Sequence, residues 1–175
     1  METAVLLCVP EADELVGPWR DKGDPSASAG VPAHVTLLYP FLDSDRVDEG
    51  VLAELAWFFR GVDAFAIRFD GVDEFPDAGV LYLDPEDRAL DDLASALARR
   101  WPETPPYAGA VDSPHAHLTV VRTADPALRA EAGTAMQAGL PLAATAARAA
   151  LWICDEDGRW NEAHVFEFGL AERPD

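Results

Sequence analysis

The sequence predicts an α+β fold: two pseudo-equivalent lobes of mostly antiparallel sheet with flanking helices and a central cleft, forming one bilobal domain over residues 1–175. Three observations carry this prediction. Short β-branched and aliphatic runs alternate with segments whose apolar residues recur at helical spacing. The order strand, helix, Pro- or Gly-rich loop, strand occurs once in each half of the chain. Finally, one strand in each half opens on the same tetrad, His34-Val35-Thr36-Leu37 and His117-Leu118-Thr119-Val120.

The elements follow in order. Thr3 to Pro10 is a nearly continuous apolar run, as expected of a strand buried on both faces. The next segment, EADELVGPWRD, predicts a short helix interrupted at Gly17 and Pro18, and KGDPSASAGVP reads as a loop delivering the chain to His34. HVTLLY is a strand stopped by Pro40. Val51, Leu52, Leu55, Phe58 and Phe59 then mark a helix, and AFAIRFDGVDEF and GVLYLDP mark two strands. PEDRALDDLASALARRW predicts a helix with Pro85 near its start and Arg99 and Arg100 in its last turn, where the helix dipole favours them. A Pro-rich loop, PETPPYAGAVDSP, leads to the strand HAHLTVVR. Asp125 is an N-cap candidate for the helix that follows. LAATAARAALWIC and NEAHVFEFGL close the chain as a hairpin turning at Gly158.

Composition narrows the function. With 175 residues, 49% of them hydrophobic, the chain can bury one good core but not two ordinary independent domains. No apolar run is long enough to span a membrane, and the N-terminus carries acids where a signal peptide carries positive charge, so a cytoplasmic protein and no membrane partner are expected. Cys8 and Cys154 lie in strand-like apolar runs and are expected reduced, buried and structural. The net charge of -19 opposes polyanion binding at long range, so a long nucleic acid is not expected as a partner. A small anion in a local pocket is compatible with it, and a monomer is expected.

Alternation along a strand puts His34 and Thr36 on one face, and likewise His117 and Thr119, each pair ~7 Å apart along the backbone. Alone, a histidine in an apolar strand reads as structural. Repetition of the tetrad in both halves points to a shared site, pictured as two walls meeting across a cleft. Two imidazoles and two hydroxyls suit a phosphodiester. One neutral histidine takes a proton from water or a ribose hydroxyl, and the other, protonated, gives one to the departing oxygen. The hydroxyls donate to the non-bridging oxygens, and no metal or other cofactor is required.

These motifs resemble those of the 2H phosphoesterase superfamily, the 2′-5′ RNA ligase-like proteins and cyclic phosphodiesterases defined by two His-x-Thr/Ser-apolar motifs. AHVTLLYPF is similar to the first motif and HLTVVR to the second, and the order of elements agrees over the whole chain. The resemblance implies a bilobal fold and metal-independent chemistry on 2′,5′ or 2′,3′-cyclic phosphates. His34 and His117 would be the acid–base pair, and Thr36 and Thr119 would hold the phosphate. For hydrolysis the family pattern gives His117 as the base and His34 as the acid, roles that spacing does not assign. The acidic charge, and the lack of the arginine that many relatives carry near the start of the first strand, favour a small nucleotide or another cyclic phosphate over polymeric RNA; the substrate expected is a nucleotide or a short RNA end. RNA 2′,5′ ligation and non-catalytic nucleotide or phosphate binding are the alternatives.

Other residues stay open at this level. Arg122 is the candidate for an extra phosphate contact, although a regular strand would turn it away from His117; a surface salt bridge is the other reading. His115 could approach the site, form a metal pair with His117, or end the loop beside it. Tyr39 and Phe41 could line the cleft mouth or pack in the core. Trp152 and Trp160 are expected to pack across the last hairpin, and His164 is expected to be structural.

Overall fold

Eight strands join edge to edge in a computed structural model of the chain, which describes residues 1–110 and 115–169. They are β1 (Thr3–Cys8), β2 (His34–Leu38), β3 (Phe65–Phe75), β4 (Val80–Pro85), β5 (Leu118–Arg122), β6 (Leu142–Ala146), β7 (Arg148–Cys154) and β8 (Trp160–Glu167). Their order is β6-β3-β4-β5-β2-β1-β7-β8, with antiparallel neighbours throughout. The helices are α1 (Asp13–Gly23), α2 (Pro25–Ser28), α3 (Glu49–Arg60), α4 (Ala89–Arg100) and α5 (Pro126–Gly139).

The order reads outward from a seam between β2 and β5. One half runs β2, β1, β7, β8 and the other β5, β4, β3, β6, so each motif strand borders the seam. The predicted α+β architecture and its two related halves are present. The two tetrads, however, lie side by side on neighbouring strands of one sheet, not on separate walls. Only the folded register could reveal that, because the pairing of Val35 with Leu118 is far from local. The sheet curls: the end of β8 meets the start of β3, where Gly169 bridges Asp63 and its carbonyl accepts from the Ala64 N–H at 3.1 Å.

The helices cross the seam. α1 follows β1 yet packs on β5, and α4 follows β4 yet packs on β2. α3 covers β8 and α5 covers β3 and β4. The helix-covered face holds one continuous core that includes Leu7, Leu37, Phe59, Phe69, Leu118 and Leu151. Each such side chain contributes ~1.5–3 kcal/mol relative to exposure. The other face carries, among the described residues, a small cluster of Ala4, Leu6, Val31, Ala150 and Trp152 beside β1. That cluster is why β1 is buried on both faces, as its apolar run predicts.

Several local expectations change. α1 runs unbroken through Pro18. The proline forfeits one helical hydrogen bond, but Val16 and Arg20 on either side are buried, so packing outweighs the loss. The segment read as loop contains one turn, α2, because Asp24 caps it by accepting from the Ser26 N–H. Pro85 ends β4, and α4 starts only at Ala89. The run LAATAARAALWIC is two strands: it breaks at Ala147, where the chain passes from the edge of one half to the other. Asp125 does cap α5, accepting from the Ala127 N–H at 2.9 Å, and β7 and β8 form the expected hairpin with Gly158 at φ 77°. The end of the Pro-rich loop (111–114) and Leu170 of the last predicted strand lie outside the described residues. Among the described residues no helix is long and apolar enough to cross a membrane.

Candidate active site

Burial alternates through both tetrads. Val35 and Leu37 sink into the core while His34 and Thr36 stay partly exposed; Leu118 and Val120 do the same between His117 and Thr119. Antiparallel pairing of Val35 with Leu118 sets His34 opposite Thr119 and Thr36 opposite His117. The four side chains therefore form a quadrilateral on the face opposite the main core, imidazoles on one diagonal and hydroxyls on the other. Diagonal positions of an antiparallel pair lie ~7–8 Å apart, which leaves room for one phosphate between the rings.

Both rings are held the same way. Nδ1 of His34 is 2.9 Å from the Pro32 carbonyl, and Nδ1 of His117 is 2.7 Å from the His115 carbonyl. A carbonyl only accepts, so Nδ1 carries the proton in each ring, and Nε2 of the neutral ring keeps its lone pair. Two matched tautomers thus present two free Nε2 atoms, each able to take a proton or, once protonated, to give one.

Just past each tetrad the strand bulges. On β2 the register with β1 shifts between Val5 and Leu6, leaving Leu37 as the extra residue; on β5 the register with β4 shifts between Leu81 and Tyr82, leaving Val120. Leu37 and Leu38 both enter the main core, as do Val120 and Val121. The alternation resets, and Tyr39 and Arg122 return to the face of the histidines. Tyr39 packs on the small cluster and meets Trp160 edge to face at 6.1 Å. Arg122 is exposed nearby: burial and then Glu2 push the Tyr39 phenol up while the Arg122 guanidinium pulls it down, and at Tyr107 the same cation opposes the effect of burial. The regular-strand geometry that would turn Arg122 away therefore does not hold.

The two rings differ in surroundings. Burial lowers the His34 pKa from 6.5 to about 4, with the Arg20 guanidinium adding to it and the Pro32 carbonyl and Asp24 working against it. Arg20 is itself buried, donating from Nε to Asp24 at 2.8 Å and from Nη2 to the Val31 carbonyl at 3.0 Å, which fixes the approach to His34. Burial also lowers the His117 pKa and His115 adds to that, opposed by its bond to the His115 carbonyl and by Asp84 and Asp91. Phe75 and Tyr82 flank this ring, each with its centroid 5.0 Å away, and stack on each other at 4.4 Å.

Of the remaining candidates, His115 ends the loop before β5, with Nε2 3.0 Å from Asp84 and Nδ1 3.7 Å from Asp91. Among the described residues no group of three or more histidines, cysteines and acids is arranged to hold a metal. Phe41 is core, packed edge to face on Trp101 at 5.6 Å. Trp160 pairs with Cys154 and Trp152 with Glu162, so the two indoles are not directly opposite; the register set by the turn between Cys154 and Trp160 offsets them. His164 is exposed on the edge strand, away from the seam and outside the core. Both cysteines are free but only partly buried. Phe75 and Tyr82 carried no sequence signal as site residues, because only the β3–β4 and β4–β5 pairings together bring them to His117.

The family comparison settles the lineage. A family model described as the 2′-5′ RNA ligase superfamily matches residues 8–158, most of the chain. The protein belongs to the 2′-5′ RNA ligase superfamily. This meets the 2H phosphoesterase resemblance of the two motifs. No curated protein matches it by sequence. Among solved structures it is similar to E. coli LigT complexed with 3′-AMP, with TM-score 0.65 and 18% identity over 95% of this chain and 97% of that one. It is also similar to TT0787 of Thermus thermophilus, at TM-score 0.63 and 17% identity over 97% and 99%. A structure described only as a phosphoesterase aligns at TM-score 0.62 and 18% identity, over 96% and 98%. At these identities the likeness carries the curled antiparallel fold.

Proposed function

We propose that this superfamily member is a metal-independent phosphoesterase that opens 2′,3′-cyclic or 2′,5′ phosphodiesters of a nucleotide or short RNA end. The observation that carries the reading is the matched pair of Nδ1 bonds, 2.9 and 2.7 Å, which leaves both Nε2 atoms free on one face. One neutral imidazole removes a proton from water at Nε2 as the water oxygen bonds to phosphorus. The phosphorus–ribose oxygen bond breaks, and the protonated imidazole delivers its Nε2 proton to that oxygen. Thr36 and Thr119 donate to the non-bridging oxygens, and the Arg122 guanidinium supplies a charged contact.

The roles follow from the surroundings. Burial and Arg20 hold His34 at about 4, which suits the base; burial lowers His117 as well, but Asp84 and Asp91 oppose it, so the acid is assigned to His117. This reverses the family pattern. A small substrate fits the net charge of -19 better than a polyanion does. LigT structures hold 3′-AMP, NADP+ and ATP, ligands of the same size class. Hydrolysis is preferred over ligation because ligation needs two RNA ends brought against an acidic field.

The test is a panel of 2′,3′-cyclic nucleotides and 2′,5′-linked dinucleotides assayed with excess EDTA. Turnover to the monoester should persist in EDTA and vanish in His34→Ala and in His117→Ala. Binding without turnover across the panel would replace the enzyme by a binding module, and loss of turnover in EDTA would bring back a metal at His115 and His117.

A further inference from the structure

Two carboxylates, the exposed Asp13 and the buried Asp91, occupy equivalent places, and neither touches the reacting atoms in the chemistry above. Asp13 opens α1, the helix after β1; Asp91 lies in the first turn of α4, the helix after β4. The Ala33 N–H donates to Asp13 Oδ1 at 3.1 Å, and the Ala116 N–H donates to Asp91 Oδ1 at 2.6 Å. Ala33 and Ala116 each immediately precede a motif histidine.

The peptide unit makes this more than a loop anchor. The N–H of Ala33 and the carbonyl of Pro32 belong to one planar amide, and that carbonyl is the group that accepts from Nδ1 of His34. The N–H of Ala116 and the carbonyl of His115 form the corresponding amide, and that carbonyl accepts from Nδ1 of His117. In each half a carboxylate, a peptide and an imidazole are therefore joined in one chain of hydrogen bonds. Negative charge on the N–H side of an amide pushes electron density onto its oxygen, and linked hydrogen bonds strengthen one another. The carboxylate thereby tightens the grip on Nδ1, fixes the tautomer and ring direction, and favours the cationic ring that forms during proton transfer.

We propose that Asp13 and Asp91 are positioning residues, each acting through one peptide bond to orient and polarise a motif histidine. The inference rests on the two-histidine reading above. It also gives a use to the crossed helices. α1 packs under the His117 strand while its carboxylate serves His34, and α4 packs under the His34 strand while its carboxylate serves His117. The relays are not identical: Asp91 also lies 3.7 Å from His115 Nδ1 and 3.6 Å from Arg88 Nη2, so its charge is shared.

The readout is ¹⁵N and ¹H NMR of the imidazoles in the whole protein, alongside steady-state kinetics. Asp13→Ala should mix the His34 tautomers and shift its Nδ1–H signal while leaving His117 unchanged, and Asp91→Ala should do the converse. Misdirecting a reacting group costs on the order of 10- to 100-fold in rate, and the loss should fall on kcat with KM little changed. Asp13→Asn and Asp91→Asn keep an acceptor oxygen without the charge. They should restore the tautomer and recover most of kcat while leaving a smaller shift of the same Nδ1–H. Unchanged His34 signals in folded Asp13→Ala overturn the proposal, as do equal changes at both histidines. If an alanine variant does not fold, its asparagine counterpart decides, and an unmoved Nδ1–H signal there overturns it. The imidazole signals need no substrate, so a wild-type protein without turnover sinks the phosphoesterase reading and leaves the relay test standing.

Discussion

His34 and His117 sit in the same device built twice. Each opens a His-x-Thr tetrad, is held at Nδ1 by the carbonyl two residues back, and is followed by a one-residue bulge that returns the fifth residue after it to the histidine face. What differs is the neighbourhood. His34 has a buried Arg20–Asp24 pair beside it and the Cys8 strand position opposite it, whereas His117 lies among Phe75, Tyr82, His115 and two carboxylates. The geometry is symmetric while the surroundings differ: burial lowers both rings, His34 to about 4, and at His117 Asp84 and Asp91 oppose the effect. An acid–base pair needs that combination: like positions, unlike proton affinities.

The largest effect that can break this contrast is the loss of either imidazole. Both His34→Ala and His117→Ala should lower kcat on a 2′,3′-cyclic nucleotide by ~10³-fold, within the usual range for a general acid or base. An aryl phosphodiester separates them, because a nitrophenolate leaves without a proton. With it, His117→Ala should recover most of the loss and His34→Ala should recover little. Rescue of His34→Ala instead would reverse the assigned roles and restore the family pattern.

The fifth residues give a smaller contrast. Arg122 and Tyr39 stand at equivalent places after the two bulges, but of the two only a guanidinium carries charge to offer a phosphate. Arg122→Ala should raise KM ~10- to 100-fold, as expected for a lost charge-assisted pair. Tyr39→Phe should change KM less than ~3-fold, since the Tyr39 hydroxyl is already given to Glu2 at 3.2 Å. Equal effects would mean that the bulges place both side chains on the substrate alike.

How far the sequence revealed this site depended on whether the signal was local. Alternation within HVTL and HLTV is local, so the outward His-Thr pairs could be read directly. The bulges also left a trace that strict alternation overlooks: Leu37-Leu38 and Val120-Val121 are doubled apolar residues, and each doubling shifts the phase by one. Without that trace Arg122 points the wrong way. Adjacency of the two tetrads, the break of one apolar run at Ala147, and the arrival of Phe75 and Tyr82 at His117 are long-range pairings with no local pattern. The carboxylate relays are equally silent, their partners lying 20 and 25 residues apart. Pro18 shows the opposite failure: a local breaker was legible, and core packing on both sides overrode it.

The smallest expected effect concerns stability, and its sign follows from proton affinity. Burial, the main cause, holds the folded His34 at about 4, below its ordinary 6.5. Between those values the unfolded chain binds more protons than the folded one, so stability rises with pH through the window and falls on acidification from pH 6.5 toward 4. Because the ring remains partly open to solvent, the change is on the order of 1–2 kcal/mol, less than a fully buried ring would give. Chemical denaturation at intervals from pH 7 to 4.5 should therefore show a shallower loss for His34→Gln than for wild type, with the difference vanishing above pH 7. His117→Gln should flatten the curve in the same direction but less, since Asp84 and Asp91 favour its cation. Carboxylates elsewhere titrate in wild type and variants alike, so the differences isolate the two rings. A larger flattening from His117→Gln would mean that His117, not His34, is the ring the fold keeps neutral, and would place the base on the other side of the seam.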